Sequence, residues 1–343
     1  MRRFNLSELF STLIGAGSQR AAELGDDPNM AGAATTIRLS PEARRFYETH
    51  AAAFGGISLS AMVAMTLEGV MQATKGQGAS PSEQTRRAVD LMRDRFAHLF
   101  NAHKIDVPTQ VEILREYGFT LAAFRDDTAL LNLLTDTVID TVSDKFHIQR
   151  DWLLGSASQA PRIMGRWYKN PGEVCRRLIT LMAAGHAPEV ICLRQRDARF
   201  KDAYEHGDTV SSAPITLIIE SQHVTGEGRK FSTFELWEPE RWNYQKCRLY
   251  FKALILWLEN ASKRRSLHYR GIELPPEIFR GLLHYELLPV EALDARGGGC
   301  IWYPDDYTDT RQAVAKEFEE LELVKETYRE CHLDKYLNDL DHR

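Results

Sequence analysis

The chain is expected to be mainly helical with an α+β carboxyl-terminal domain, and three features carry that expectation. Between 34 and 78 a short alternating segment precedes two apolar helical stripes separated by glycines. Several short helical patterns follow between 107 and 155. From 214 to 259 two strand-like runs flank a glycine turn and lead into a helix. At 343 residues and 43% hydrophobic, the chain is long enough for two or three globular domains of ordinary composition. The divisions read as an amino-terminal helix and linker over 1–33, a small domain over 34–78, a helical domain over 79–160 and an α+β domain over 161–343.

The start, MRRFNLSELFSTLIGAGSQ, carries two arginines and a short apolar stretch. Ser7, Glu8, Ser11 and Thr12 interrupt that stretch, so it reads as an amphipathic helix rather than a signal peptide. A loose linker, AAELGDDPNMAGAA, follows. In Thr36-Ile37-Arg38-Leu39-Ser40 the period of two sends Ile37 and Leu39 to one face and Thr36, Arg38 and Ser40 to the other. A single strand has unpaired backbone groups, and a second copy of the chain would satisfy them while burying Ile37 and Leu39. The resulting two-stranded ribbon presents Thr and Arg outward, the residue types that read thymine and guanine edges in a major groove.

Ser40 is placed to N-cap the next helix, with Pro41 at its first position and Glu42 in its positive first turn. Ala43, Phe46, Tyr47, His50 and Phe54 form its inner face, and Gly55-Gly56 ends it. Ser58 is placed to cap a second helix, whose stripe is Leu59, Met62, Val63, Thr66, Leu67 and Val70. The segment 35–75 resembles the ribbon-helix-helix DNA-binding family, the β-ribbon readers that include the MetJ and Arc repressors. Gly55-Gly56 is one residue longer than that family's usual turn. The resemblance implies an intertwined homodimer on double-stranded DNA, with Thr36 and Arg38 at the bases and Ser40 at the strand end. It also implies that Ser58, Leu59 and Ser60 hold a phosphate at the second helix's amino end.

Past a break at Lys75-Gly76-Gln77-Gly78-Ala79-Ser80-Pro81, residues Ser82 to His103 read as one helix with Ala88, Leu91, Met92, Arg95, Phe96, Leu99 and Phe100 on its apolar edge. The short helices that follow end in DTVIDTVSDKFHIQRDWLLGSAS. Over 107–158 the chain is similar to phage-repressor-like helix-turn-helix domains, where a helix, a short turn and a D-W-L-L-G segment close the bundle. Arg115, Arg125 and Asn132 are the few base-reading residue types in its centre. The alternative is a helical spacer or dimerisation module with Trp152, Leu153 and Leu154 as core.

Helical patterns are expected at 171–184 and 188–205, then strands at Pro214–Gln222 and Lys230–Trp237 around Thr225-Gly226-Glu227-Gly228, then a helix from Trp242 to Glu259. Phe231, Phe234, Trp237, Trp242, Tyr244, Tyr250, Phe251 and Trp257 line either a ligand pocket or a core. From Thr310 to Leu340 the chain reads as one long helix, with Val314, Phe318, Leu321, Val324, Tyr328 and Cys331 on one face and acid on the other. It serves as a docking or dimerising helix, or packs on its own domain.

No run of about eighteen apolar residues occurs, so no membrane contact is expected. The net charge of −5 describes the whole chain and leaves a local basic face open, with Arg38, Arg44, Arg45, Arg86 and Arg87 set apart from the acidic carboxyl-terminal stretch. Five scattered cysteines without a C-x-x-C pair point to reduced thiols in a cytoplasmic protein. His268, His284 and Cys300 are too dispersed to make a metal site the expectation. Gly297-Gly298-Gly299 lacks the Lys-Ser/Thr of a phosphate loop, and neither a nucleophile elbow nor H-E-x-x-H is present. Asp305-Asp306 and Glu235 with Glu238 are carboxylates without an identifiable catalytic partner. The expectation is therefore no enzyme, cofactor or metal, but a cytoplasmic homodimeric DNA-binding transcription regulator, a repressor. Its carboxyl-terminal domain would take a small-molecule effector or protein partner. The alternative is an antitoxin, partition or conjugation protein whose carboxyl-terminal region grips another protein.

Overall fold

The computed structural model describes residues 39–53, 58–75, 81–198, 200, 213–265, 267–295, 301–308 and 315–341. It divides into two compact units, Met1–Arg86 and Arg87–Arg343. The described residues are mostly helical, with one mixed sheet of six strands. The expected amino-terminal helix and the strand at 36–38 lie outside the described residues.

In the first unit α1 (Pro41–Ala53) and α2 (Leu59–Lys75) pack as a pair around Ala51 and Met62, with Tyr47 and Met65 alongside. Thr66 is buried, its hydroxyl bonded to the Met62 carbonyl at 2.8 Å. Phe46, expected on the inner face, is 43% exposed, and Leu67 on α2 is 53% exposed.

The chain then runs through α3 (Pro81–Ala102), α4 (Val107–Ile113), α5 (Asp127–Leu133), α6 (Asp136–Phe146) and α7 (Arg150–Leu153). Side-chain caps start three of these: Asp106 on α4, Asp126 on α5 and Thr135 on α6 each accept first-turn N–H groups. After α8 (Gly172–Ala183) come β1 (Pro188–Gln195), β2 (Pro214–Val224), β3 (Lys230–Leu236) and β4 (Glu240–Arg241). Then follow α9 (Gln245–Arg264), β5 (His268–Leu274), α10 (Pro276–Leu283), α11 (Pro289–Asp294), β6 (Ile301–Trp302), α12 (Ala315–Glu330) and α13 (Leu333–Asp341).

The sheet order is β3-β2-β1-β5-β6, with β4 added to β2. Only β1 and β5 run parallel; the other pairs are antiparallel. The hairpin expected around the Thr225 turn forms as β2 and β3, closed by Thr225 N–H to the Arg229 carbonyl at 2.8 Å, with Gly228 at φ +83° where a side chain would be strained.

The segment 188–205 corrects the sequence expectation, because its first part is the central strand β1 rather than a helix. Val190, Ile191, Cys192 and Leu193 are all fully buried, alternately against opposite layers. A strand covered on both faces has no polar alternation, so its apolar run mimics a buried helix. The expected single helix at the carboxyl terminus is also broken. His332 adopts φ +51° between α12 and α13, and Val324, Tyr328, Leu333, Leu337 and Leu340 turn inward onto the second unit's own core. Of the two readings of that tail, it packs on its own domain.

Helices cover both faces of the sheet. On one side α8, α9, α12 and α13 meet Val190, Cys192, Ile215, Leu217 and Ile219. On the other, Phe96, Leu99 and Phe100 of α3, Val138, Val142 and Phe146 of α6, and Leu153 of α7 join Ile191, Leu193, Ile218 and Ile272. The helices between Phe96 and Leu153 thus share the core on one face of the sheet with its strands, the other face having a core of its own, and Trp152 and Leu153 are core residues.

Candidate functional site

Helices α1 and α2 each begin on a serine whose hydroxyl replaces a missing intrahelical partner. Ser40 Oγ accepts the Ala43 N–H at 3.2 Å, and Ser58 Oγ accepts the Ala61 N–H at 3.1 Å. Both are the third-position bonds of an N-cap. They leave the earlier N–H groups of the first turn, those of Leu59 and Ser60 on α2, directed at what lies beyond the helix end. Ser58 and Ser60 are exposed and Leu59 is half-buried. Arg44 pairs with Glu48 at 2.8 Å along α1, while the Arg45 guanidinium bonds back to the Pro41 carbonyl at 3.3 Å. Of the six residues singled out from sequence, Ser40, Ser58, Leu59 and Ser60 are thus located at two helix starts, whereas Thr36 and Arg38 lie outside the described residues.

The helix-turn-helix-like segment presents a different surface. Asp136, Asp140 and Asp144 lie exposed along α6, with Arg150 paired to the first two and Arg162 to the third. Arg115 is paired with Glu227 at the hairpin turn, and Arg125 and Asn132 are exposed.

Comparison with protein-family models, curated proteins and solved structures found no match.

A cavity of about 380 Å³ opens in the second unit between α4, α6, the end of α8 and the β2–β3 hairpin. Four local structures build it. Gly185, at φ +84°, ends α8 with its N–H on the Met182 carbonyl and the His186 N–H on the Leu181 carbonyl, a left-handed cap that sets His186 beside β2. The His186 Nδ1 lies 3.3 Å from the Gln222 carbonyl, so that nitrogen donates. His223 stacks on Phe231 across the hairpin, with ring centroids 4.9 Å apart and planes 16° apart, and meets the His186 ring edge-on at 4.7 Å. Its Nε2 shares a 2.8 Å hydrogen bond with Thr233. Lys145, in the last turn of α6, brings its ammonium 6.0 Å from the Phe231 centroid.

Burial, with the neighbouring His186 adding to it, pulls the His223 imidazole down to about 4, so it is neutral near pH 7. Glu112, also on the wall, is engaged by Arg229 from the hairpin turn, and the Thr225 hydroxyl followed by Arg229 holds its carboxyl below the ordinary range.

Of the eight aromatics named from sequence, only Phe231 lines this cavity. Phe234, Trp237, Trp242, Phe251 and Trp257 are buried in the core, and Tyr244 is 43% exposed. Lys145, His186 and His223 carried no signal in the sequence, since each stands alone on its own element. Among the described residues no group of three or more His, Cys, Asp or Glu is placed to hold a metal. His268 and His284 are exposed, and Cys300 lies outside the described residues. Glu235 is a buried structural acid, forked onto Arg177 with both oxygens 3.0 Å from Nε. Glu238 pairs with Arg166 at 2.7 Å. No helix among the described residues is long and apolar enough to cross a membrane.

Proposed function

We propose that the chain is a homodimeric DNA-binding transcription regulator that acts as a repressor, using residues 34–78 as an intermolecular ribbon with two supporting helices. The observation that carries this reading is the serine-capped helix pair. It has an N-cap serine on each of its two helices, and among the described residues its core is Ala51 and Met62 with Tyr47 and Met65 alongside. A helix pair of this size gains stability from a second copy, and the exposed Leu67 supplies apolar area for that contact. In this reading Thr36 and Arg38 touch bases, Ser40 ends the strand, and the backbone N–H groups around Ser58, Leu59 and Ser60 fix a phosphate. DNA recognition is assigned here rather than to 107–158 because Arg115 and Arg150 of that segment are already held in ion pairs with Glu227, Asp136 and Asp140.

Fluorescence anisotropy on fragments of the gene's own upstream region, over a salt series, tests the reading. Specific binding by the wild type and its weakening by about 1–3 kcal/mol in Arg38→Ala is the expected result. Specific binding that Arg38→Ala leaves unchanged would move recognition off the ribbon. A wild type that binds all sequences equally, or none, and co-purifies with a second protein would favour a partner-gripping antitoxin, partition or conjugation protein.

A further inference from the structure

We propose that the cavity between α4, α6, the α8 end and the β2–β3 hairpin binds a small aromatic acid, its ring against Phe231 and His223 and its carboxylate on the Lys145 ammonium. The cavity, about 380 Å³, is the size of small-ligand sites, and its lining is mostly polar, with Ile113, Val224 and Phe231 as its large apolar side chains. Its ring surfaces are those of the Phe231–His223 stack that the two rings do not cover on each other, with His186 edge-on to His223. Such faces accept a planar ring by offset or edge-on packing.

Charge selects the rest of the ligand. The carboxylate on the wall, Glu112, is already engaged by Arg229. Lys145 has no carboxylate partner among the described residues and is half-buried beside Phe231. His223 is neutral near pH 7, since burial pulls it down to about 4, and supplies an aromatic face rather than charge. A purely apolar ligand would cover Lys145 without pairing it, which is unfavourable. A phosphate ester calls for several converging donors, and the lining offers one ammonium. A monocarboxylate on a flat ring matches both the walls and the charge.

Service as an effector site rests on the regulator reading, but occupancy does not, so the test uses the full-length protein without DNA and the two ideas fail separately. Calorimetric titrations with benzoate, salicylate, benzamide and inorganic phosphate would be compared for wild type and Lys145→Gln. Side-chain histidine resonances in ¹H–¹⁵N spectra would be recorded in parallel. The expected result is saturable binding of benzoate or salicylate that moves the His186 and His223 resonances and weakens about tenfold or more in Lys145→Gln. Benzamide binding should be indifferent to that substitution. Absence of saturation by either acid at about 5 mM would overturn the proposal, a range in which even a weak specific site fills appreciably. So would equal affinity in the variant, phosphate binding tighter than benzoate, or unmoved histidine resonances. Lys145 is half-buried at a helix end, and an unchanged thermal midpoint in Lys145→Gln confirms that the comparison is between folded proteins.

Discussion

Arg248 and Glu320, 72 residues apart in the chain, meet at 2.7 Å with side chains only 6% and 4% exposed. Lys252, one turn further along α9, reaches the second oxygen of the same carboxylate. One buried acid thus ties α12 to α9 through two cations, and Lys252 also stands 5.5 Å from the Trp242 ring centroid. Glu320→Gln keeps the shape and removes the charge, leaving two buried cations facing a neutral amide. A loss of about 3–5 kcal/mol is expected in denaturant unfolding. Lys252→Met, which leaves Glu320 its Arg248 partner, should cost less.

His103 ties stability to pH. It is buried against Phe146, its Nδ1 is 2.8 Å from the Leu99 carbonyl, and burial, partly offset by that bond, pulls its imidazole down to about 4. The unfolded chain, with a histidine value near 6.5, takes up the proton first. Stability is therefore intact above pH of about 6.5, falls as pH drops through the window from about 6.5 to about 4, and levels off below it. The shift at His103 corresponds to a loss on the order of 3 kcal/mol. His147 and His223, each pulled to about 4 chiefly by burial, act in the same direction. Urea melts from pH 7.5 to 4 should show this decline, and His103→Phe should remove its share, leaving a shallower slope.

Gly271 on β5 lets β6 approach closely. A Cβ there would sit 2.3 Å from the Trp302 carbonyl oxygen and 2.7 Å from the Trp302 ring. Backbone on one side and a buried indole on the other leave little room to yield, so Gly271→Ala should destabilise by about 1–3 kcal/mol. Hydrogen exchange should locate the loss at the β5–β6 pairing rather than at the hairpin.

The serine caps make a local prediction. Ser40→Ala and Ser58→Ala should each cost about 1 kcal/mol, because each orphans a first-turn N–H, whereas Ser→Gly at either site should cost only a few tenths. Faster amide exchange in the first turns of α1 and α2, with β1 amides unaffected, is the pattern to look for. Equal effects of Ala and Gly would argue that these hydroxyls contribute nothing as caps.

What the sequence determined by itself is what neighbouring residues settle among themselves. Ser40 and Ser58 cap because a hydroxyl three residues from an N–H needs no tertiary help. The Thr225 turn forms a hairpin because Gly228 tolerates a left-handed φ between two strand-forming runs. Phe96, Leu99 and Phe100 announced α3's inner face by their spacing. Tertiary structure decided the rest. β1 reads as helix from sequence because the layers on both its faces leave it no polar alternation. The short strand β6 gave no local signal, being held by pairing with β5 and close approach at Gly271. The cavity was invisible for a related reason. Lys145, His186, His223 and Phe231 come from a helix end, a left-handed cap and a hairpin, and only the packing of those separate elements brings one ammonium to two imidazoles and a ring.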